Sequence, residues 1–272
     1  MSTTLSVQNL SKSFAGLKAV QKMSLEAKAG EIAAVIGPNG AGKTTLFNCI
    51  TGAIQPDQAE IKLSAQDAKQ PVLLQRKSME EIARLGVART FQQVRLFDSL
   101  SLVDNVVLGG LYRHQLGWGE ILVDRLGRGA RRHRALRTQA EQYLRRVGLQ
   151  DQRYELAGNL DHGNRRRLEI ARALAGHPVL LLLDEPAAGL NRIETDRLTE
   201  ILAGLSGEGM AILLIEHDMK LVMRIASRIY VMDHGELLTC GSADEVASDA
   251  RVIEAYLGSR RLDEPRVGHV AG

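Results

Sequence analysis

The chain is poor in cysteine: its 272 residues include two, Cys49 and Cys240, far apart, outside any Cys-x-x-Cys spacing and without paired histidines. That excludes a disulfide scaffold and gives no indication of a zinc site, so both read as reduced thiols. Long apolar runs are missing too. A run such as Val179–Leu183 falls far short of the roughly 20 residues that cross a bilayer. Met1–Leu10 lacks the basic and apolar regions of a signal peptide, so the chain is expected in the cytoplasm. An excess of one charge is missing as well: 35 Lys and Arg against 32 Asp and Glu leave a formal +3, too little on its own to argue for nucleic acid. No internal repeat is visible. What remains is ordinary, with 44% hydrophobic and 25% charged residues, enough to bury one large core or two modest ones.

The arginines are uneven. Arg125, Arg128, Arg131, Arg132, Arg134 and Arg137 crowd one segment. They read either as a solvated helix face serving neighbouring acids such as Glu141 or as a contact with anionic lipid headgroups. In the second reading each basic residue would contribute about 1 kcal/mol.

Leu5–Leu10 and Met23–Ala27 alternate apolar and polar residues and predict strands of an antiparallel edge sheet; Ile61–Leu63 is a further short strand. Ile32–Ile36, Val179–Leu183, Ala211–Ile215 and Ile229–Met232 are continuous apolar runs that predict buried strands. Arg192–Leu205 and Met219–Ala226 between them read as helices. From Glu80 to about Leu174 the pattern is mainly helical: Tyr143, Leu144, Val147 and Leu149 recur at helical spacing, as do Leu168, Ile170, Ala171 and Leu174. Strands alternating with helices predict an α/β fold with a parallel sheet. The tail from Ser259 to Gly272, rich in charge, Pro and Gly, is expected to be disordered.

The chemistry starts at Gly37-Pro38-Asn39-Gly40-Ala41-Gly42-Lys43-Thr44, a glycine-rich phosphate-loop pattern that follows the apolar strand Ile32–Ile36 and opens a helix. Glycines let backbone N–H groups turn inward around phosphates, and the helix N-terminus adds partial positive charge. Lys43 would reach the β- and γ-phosphates of a nucleoside triphosphate, and the Thr44 hydroxyl would ligate Mg²⁺. Val179–Leu183 delivers Asp184 and Glu185 to the sheet edge where α/β folds hold ligands. Asp184 can hold Mg²⁺ through water, and Glu185 can polarise the attacking water as general base. Acids after a strand also serve as plain helix caps, and Pro186 fits a first helical turn. Ile212–Ile215 delivers His217 to the same edge, where it could hydrogen-bond the γ-phosphate. Gln92, after Arg89-Thr90-Phe91, could coordinate Mg²⁺ or the attacking water through its amide.

These residues resemble the ATP-binding cassette family, the nucleotide-hydrolysing subunits of ABC transporters, from about Leu5 to Gly258. The resemblance implies a single cassette domain over 5–258: a P-loop α/β core with an antiparallel edge sheet and a helical subdomain inserted at about 93–175. It implies that Phe14 stacks on adenine, that Gly37 to Thr45 form the phosphate loop, and that Gln92 lies in the Q-loop that senses a transmembrane partner. Asp184 and Glu185 would be the metal-binding strand end and catalytic base, Ala188-Gly189-Leu190-Asn191 the D-loop, and His217 the switch histidine. Within the family, several strings are most similar to LivG-type ATPases of branched-chain amino-acid importers: Gly86-Val87-Ala88-Arg89-Thr90-Phe91-Gln92, Arg166-Arg167-Leu168-Glu169-Ile170-Ala171-Arg172, Asp184–Asn191, Ile215–Met219 and Ala255-Tyr256-Leu257-Gly258. Urea, amide and lipopolysaccharide-export ATPases look similar enough to stay open. So does a soluble cassette working on ribosomes or DNA, although those carry two cassettes or a long coiled coil.

The resemblance implies ATP and Mg²⁺ as cofactors, two transmembrane permease subunits, a second cassette and a periplasmic binding protein as partners, no nucleic acid, and a place on the cytoplasmic face of the bacterial inner membrane. One run departs from the family pattern. The signature Leu-Ser-Gly-Gly-Gln, which clamps the γ-phosphate held by a partner cassette, reads here Leu160-Asp161-His162-Gly163-Asn164. Unit charges about 4 Å apart interact by about 4 kcal/mol at an effective dielectric near 20, so Asp161 could weaken the partner's site. Alternatively, Arg165, Arg166 or Arg167 pairs with Asp161, His162 carries a proton, or the position points away from the nucleotide. A non-hydrolysing cassette is the extreme of the first reading. Two smaller departures are Gln58-Ala59-Glu60, where relatives place a turn glycine and a slightly altered hairpin is expected, and the glycine-rich insertion Leu116–Ala130.

Overall fold

The computed structural model describes residues 3–64, 70–111 and 129–260. In chain order the strands are β1 Thr3–Phe14, β2 Leu17–Lys28, β3 Ile32–Ile36, β4 Gln58–Leu63, β5 Val72–Leu73, β6 Val87–Arg89, β7 Leu180–Asp184, β8 Ala211–Ile215, β9 Arg228–Asp233 and β10 Glu236–Gly241. The helices are α1 Lys43–Ile50, α2 Met79–Arg84, α3 Leu102–Leu111, α4 Gly129–Arg146, α5 His162–Leu174, α6 Arg192–Gly207, α7 Met219–Ile225, α8 Ala243–Ser248 and α9 Ala250–Arg260.

Two sheets organise the molecule. The smaller is antiparallel, in the order β2-β1-β4-β5, and the larger runs β10-β9-β3-β8-β7-β6. In the larger sheet β9, β3, β8, β7 and β6 are mutually parallel, and β10 adds an antiparallel edge. Strands with both faces covered must be apolar throughout, and β3, β7 and β8 are buried at all five positions. The side chains of β7 and β8 alternate between two cores. Leu180 and Leu182 join Phe47, Leu46 and the antiparallel sheet on one face, while Leu181 and Leu183 join α3, α4 and α5 on the other. A third cluster packs α7, α8 and α9 against β9.

The predicted buried strands are present, and the helical block from Glu80 holds four helices among its described residues. It also contains β6, a three-residue strand pairing with β7 that the helical reading did not include. Val147 and Leu149 are buried beyond the end of α4 rather than within it. Gln58-Ala59-Glu60 opens β4 instead of forming a hairpin turn. The bend lies one residue earlier, where Asp57 accepts hydrogen bonds from the Ser13 amide at 2.7 Å and Lys12 Nζ at 2.8 Å.

Helix α9 runs through Ser259 and Arg260, the first residues of the expected disordered tail; the rest of the tail lies outside the described residues. Arg125, Arg128 and Leu116–Arg128 of the glycine-rich insertion also fall outside them. Arg137 pairs with Asp104 at 3.2 Å, and Glu141, expected to serve this cluster, faces Arg153 instead.

Candidate active site

Four neighbouring strands of the larger sheet end at one edge. β3 runs into the phosphate loop, β8 into Glu216 and His217, β7 into Asp184 and Glu185, and β6 into Thr90-Phe91-Gln92. Their adjacency in the order β3-β8-β7-β6 collects residues spread over 180 positions of sequence, at the carboxyl ends where such sheets bind ligands.

The loop from Gly37 to Thr44 is fixed by backbone geometry. Gly42 caps α1 at φ 99°, and a β-carbon there would sit 2.2 Å from the Ala19 carbonyl oxygen; at Gly37 one would sit 2.1 Å from that of Met232. No side chain fits either place. The Gly235 amide donates to the Ala41 carbonyl at 3.1 Å, and the Gln21 amide to the Gly235 carbonyl at 2.7 Å, so the loop is braced by the turn between β9 and β10, which is itself held to β2. Lys43 is buried; its ammonium donates to the Gly37 and Pro38 carbonyls at 2.7 and 2.9 Å. Burial pulls its pKa down, while Glu185 and Asp184 pull it back up. Thr44 is exposed and Thr45 half-buried.

Glu185 sits at φ 48°, in the left-handed region that costs a non-glycine residue about 1–3 kcal/mol and clusters at functional sites. Its Oε2 accepts from Gln92 Nε2 at 3.1 Å and lies 3.9 Å from His217 Nδ1. Three of the residues singled out in the sequence therefore meet at one carboxylate. The plain-cap alternative for Asp184 and Glu185 does not hold, since a turn follows them and the next helix, α6, is capped by Asn191 with Glu194 in a reciprocal box. The cleft, about 670 Å³, is lined by Asn39 to Thr45, Gln92 and Glu185.

The same cleft is lined by residues that motif reading missed: Gly16, Leu17, Lys18, Ala19, Gln21, His234 and Gly235. They lie at two hairpins whose turn residues, Ala15-Gly16 and His234-Gly235, all have positive φ. Paired positive φ angles are the mark of a two-residue hairpin. Asp233-His234-Gly235 between alternating runs was the available signal. Phe14 is not part of the lining: it ends β1 opposite Leu17, 43% exposed, with Lys12 Nζ 5.5 Å from its ring centroid.

Arg89 was also missed as a site residue. Its Nη2 donates to Asp184 Oδ2 at 2.8 Å and its Nη1 to Asn48 Oδ1 at 2.7 Å and Thr51 Oγ1 at 3.2 Å. The guanidinium lies between the rings of Phe47 and Phe91. A guanidinium anchored at both Nη atoms holds the carboxylate in place through a charge-assisted hydrogen bond. Glu216, completely buried, accepts from the amides of Ala187 at 2.7 Å, His217 at 3.1 Å and Asp218 at 3.4 Å, bracketing the turn after Glu185 and the His217 loop. Burial raises its pKa, and those amides oppose the rise.

Of the readings open for the signature run, the hydrogen-bonded pairing of Asp161 with a following arginine is not the one observed. Asp161 is the N-cap of α5: Oδ1 accepts from the Asn164 amide at 2.7 Å and Oδ2 from Asn164 Nδ2 at 2.9 Å. The three following arginines have other hydrogen-bond partners. Arg165 reaches Asp98, Arg166 reaches Glu169, and Arg167 reaches Asn164 and the Val147 carbonyl. Leu160 is buried; His162 Nε2 lies 3.0 Å from the Ala188 carbonyl oxygen. A β-carbon at Gly163 would meet Glu194 at 2.5 Å, so this glycine lets α5 close on α6. Signature and D-loop residues Ala188 to Asn191 thus touch within one chain. Cys49 is buried, its thiol pushed up to about 11 by burial, and Cys240 is exposed.

A braced phosphate loop facing a carboxylate, an amide and an imidazole at one sheet edge defines a P-loop nucleotide site. The sequence comparisons narrow it. Residues 20–188 match the ABC transporter family model, and residues 236–261 match one described as branched-chain amino acid ATP-binding cassette transporter. The chain belongs to the ABC transporter ATP-binding family and is an ATPase. It is 43% identical over 93% of its length to the high-affinity branched-chain amino acid transport ATP-binding protein LivG of Salmonella typhimurium, covering 97% of that protein. To BraF of Pseudomonas aeruginosa, named for the same transport, it is 41% identical with the same coverage. Among solved structures, an ATP-binding cassette of an ABC transporter in its ADP conformation superposes with TM-score 0.79 at 26% identity, covering 95% of this chain and all of that one. Membership implies membrane permease partners, and among the described residues no helix is long and apolar enough to cross a membrane.

Proposed function

We propose that this chain hydrolyses ATP to energise uptake of branched-chain amino acids through two separate permease subunits. It would work on the cytoplasmic face of the bacterial inner membrane, with a periplasmic protein delivering the cargo. The observation that carries the reading is the meeting of Gln92 and His217 at Glu185, beside the phosphate loop, in a chain this similar over 93% of its length to LivG and BraF. Lys43 and the inward amides of Gly37 to Thr45 would hold the phosphates. Glu185 would take a proton from the attacking water, with Gln92 orienting that water and His217 facing the γ-phosphate. Mg²⁺ fits the donor set of Thr44, Asp184 and Gln92, which is all hard oxygen. When bound it would neutralise charge on the β- and γ-oxygens. Leu17, which lines the cleft, and Phe14, exposed beside it on the same hairpin though outside the lining, would supply an apolar face for the adenine ring. Isolation in mild detergent tests the partner set: two multispanning subunits and a second cassette are expected to co-purify, and a soluble monomer free of membrane proteins would contradict it.

The second cassette would be a different chain. Asp161 carries a carboxylate into the run that clamps a partner's γ-phosphate, so the site completed by this chain's signature would be the weaker of two. The stronger site would join this chain's phosphate loop and Glu185 to an ordinary signature from the partner. Glu185→Gln is then expected to lower ATP turnover of the assembled complex several times more than the equivalent change in the partner; equal losses would count against unequal sites.

A further inference from the structure

Arg166 and Glu169 are the most deeply buried ion pair among the described residues, with side chains 1% and 2% exposed and Nη1 3.1 Å from Oε2. The mechanism above does not use them. A buried pair is a weak source of stability, since desolvation offsets the attraction and apolar substitutes often do as well. Their contacts point elsewhere. Arg166 Nη1 donates to the Phe91 carbonyl and Nη2 to the Gln92 carbonyl, each at 2.8 Å, and the Phe91 amide donates to Glu169 Oε1 at 3.3 Å. Two side chains on one face of α5 thus hold three backbone groups of Phe91 and Gln92 in the segment between β6 and α3, which has no ladder of its own to satisfy them. From that segment the Gln92 amide reaches Glu185.

We propose that Arg166 and Glu169 are positioning residues for hydrolysis, setting the backbone of Gln92 so that its side chain meets Glu185 and the attacking water. The proposal rests on the reading that Gln92 serves that water. Because α5 begins at the signature run, a shift of that helix against the sheet would move Gln92 with it. The fork of Arg166 is essential: Lys carries the charge, but a single ammonium cannot span two carbonyls in the same geometry. Glu169 is matched to the task, for burial raises its pKa and Arg166 opposes the rise, and its second oxygen is left to the Phe91 amide.

The test is a double-mutant cycle in the complete transporter complex, measuring kcat and KM for ATP and the thermal midpoint for Arg166→Lys, Gln92→Ala and the pair. Arg166→Lys is expected to lower kcat about tenfold with KM for ATP within about twofold, because the phosphate loop is untouched. In the Gln92→Ala background it should lower kcat by less than about twofold further, as for residues acting as one unit. Full multiplication of the two losses, or a change confined to KM, overturns the proposal. If Gln92→Ala alone leaves kcat unchanged, the reading of Gln92 fails and the proposal with it. Should Arg166→Lys not fold, Glu169→Gln takes its place in the cycle with the same expected outcomes.

Discussion

Glu185→Gln should lower ATP turnover by about 10²- to 10⁴-fold, the range for losing a positioned general base, while ATP still binds. Gln keeps the shape of the side chain and an oxygen for the Gln92 amide, which now sits 3.1 Å from Oε2. It loses the basicity that takes a proton from water. It also removes a negative charge that raises the Lys43 pKa, so nucleotide affinity is expected to hold or rise rather than fall. Since hydrolysis is what would separate two cassettes joined by ATP, the variant should also accumulate as an ATP-dependent dimer in size-exclusion chromatography. Retention of more than about a tenth of the turnover would remove Glu185 from the role of base and leave the strained φ of 48° without a functional account.

Lys43→Ala should act earlier, on binding itself. A charge-assisted hydrogen bond is worth about 1.5–3 kcal/mol, and two phosphates would share this ammonium, so ATP affinity is expected to fall about 100-fold and turnover with it. Lys43 is buried where it donates to Gly37 and Pro38, so a thermal unfolding curve must accompany the binding titration. Burial already lowers its pKa, and the charge is costly to keep there; removing it should leave the fold intact. Lost affinity with a preserved midpoint is the expected pair of results. Unchanged affinity would mean that the loop amides alone hold the phosphates.

Much of this was legible because the core strands of a parallel sheet are continuous apolar runs with chemistry at their ends. Ile32–Ile36, Val179–Leu183 and Ala211–Ile215 could be read as strands, and each delivered its motif to the expected edge. What escaped was either short or bought by tertiary contact. Val87-Ala88-Arg89 offers too few residues for any periodicity, so β6 stayed within a helical block and Arg89 was not seen as the partner of Asp184. Arg166 and Glu169 stand three apart on a helix, a spacing that in sequence looks like a solvated pair; only packing of α5 against the Phe91–Gln92 segment makes it a buried one. For Asp161 the sequence left open an intruding charge, a pairing with Arg165, Arg166 or Arg167, and a position turned away; the N-cap role that an acid before a helix often takes was not among these readings, and it engages both oxygens locally while keeping the charge in the signature run. Leu17, Lys18 and His234 line the cleft from two hairpins; the turn at Asp233-His234-Gly235 was legible, but nothing in its sequence says that it folds against the phosphate loop.

The central claim is that hydrolysis at Glu185 drives branched-chain amino-acid uptake. It is tested most directly by reconstituting the complete complex in proteoliposomes with ATP on the cassette side and following radiolabelled leucine delivered with its binding protein. The account predicts leucine accumulation that stops in the Glu185→Gln complex although the assembled subunits and bound ATP remain. Uptake by that complex at the unmodified rate, or ATP turnover with no dependence on branched-chain cargo, would contradict it.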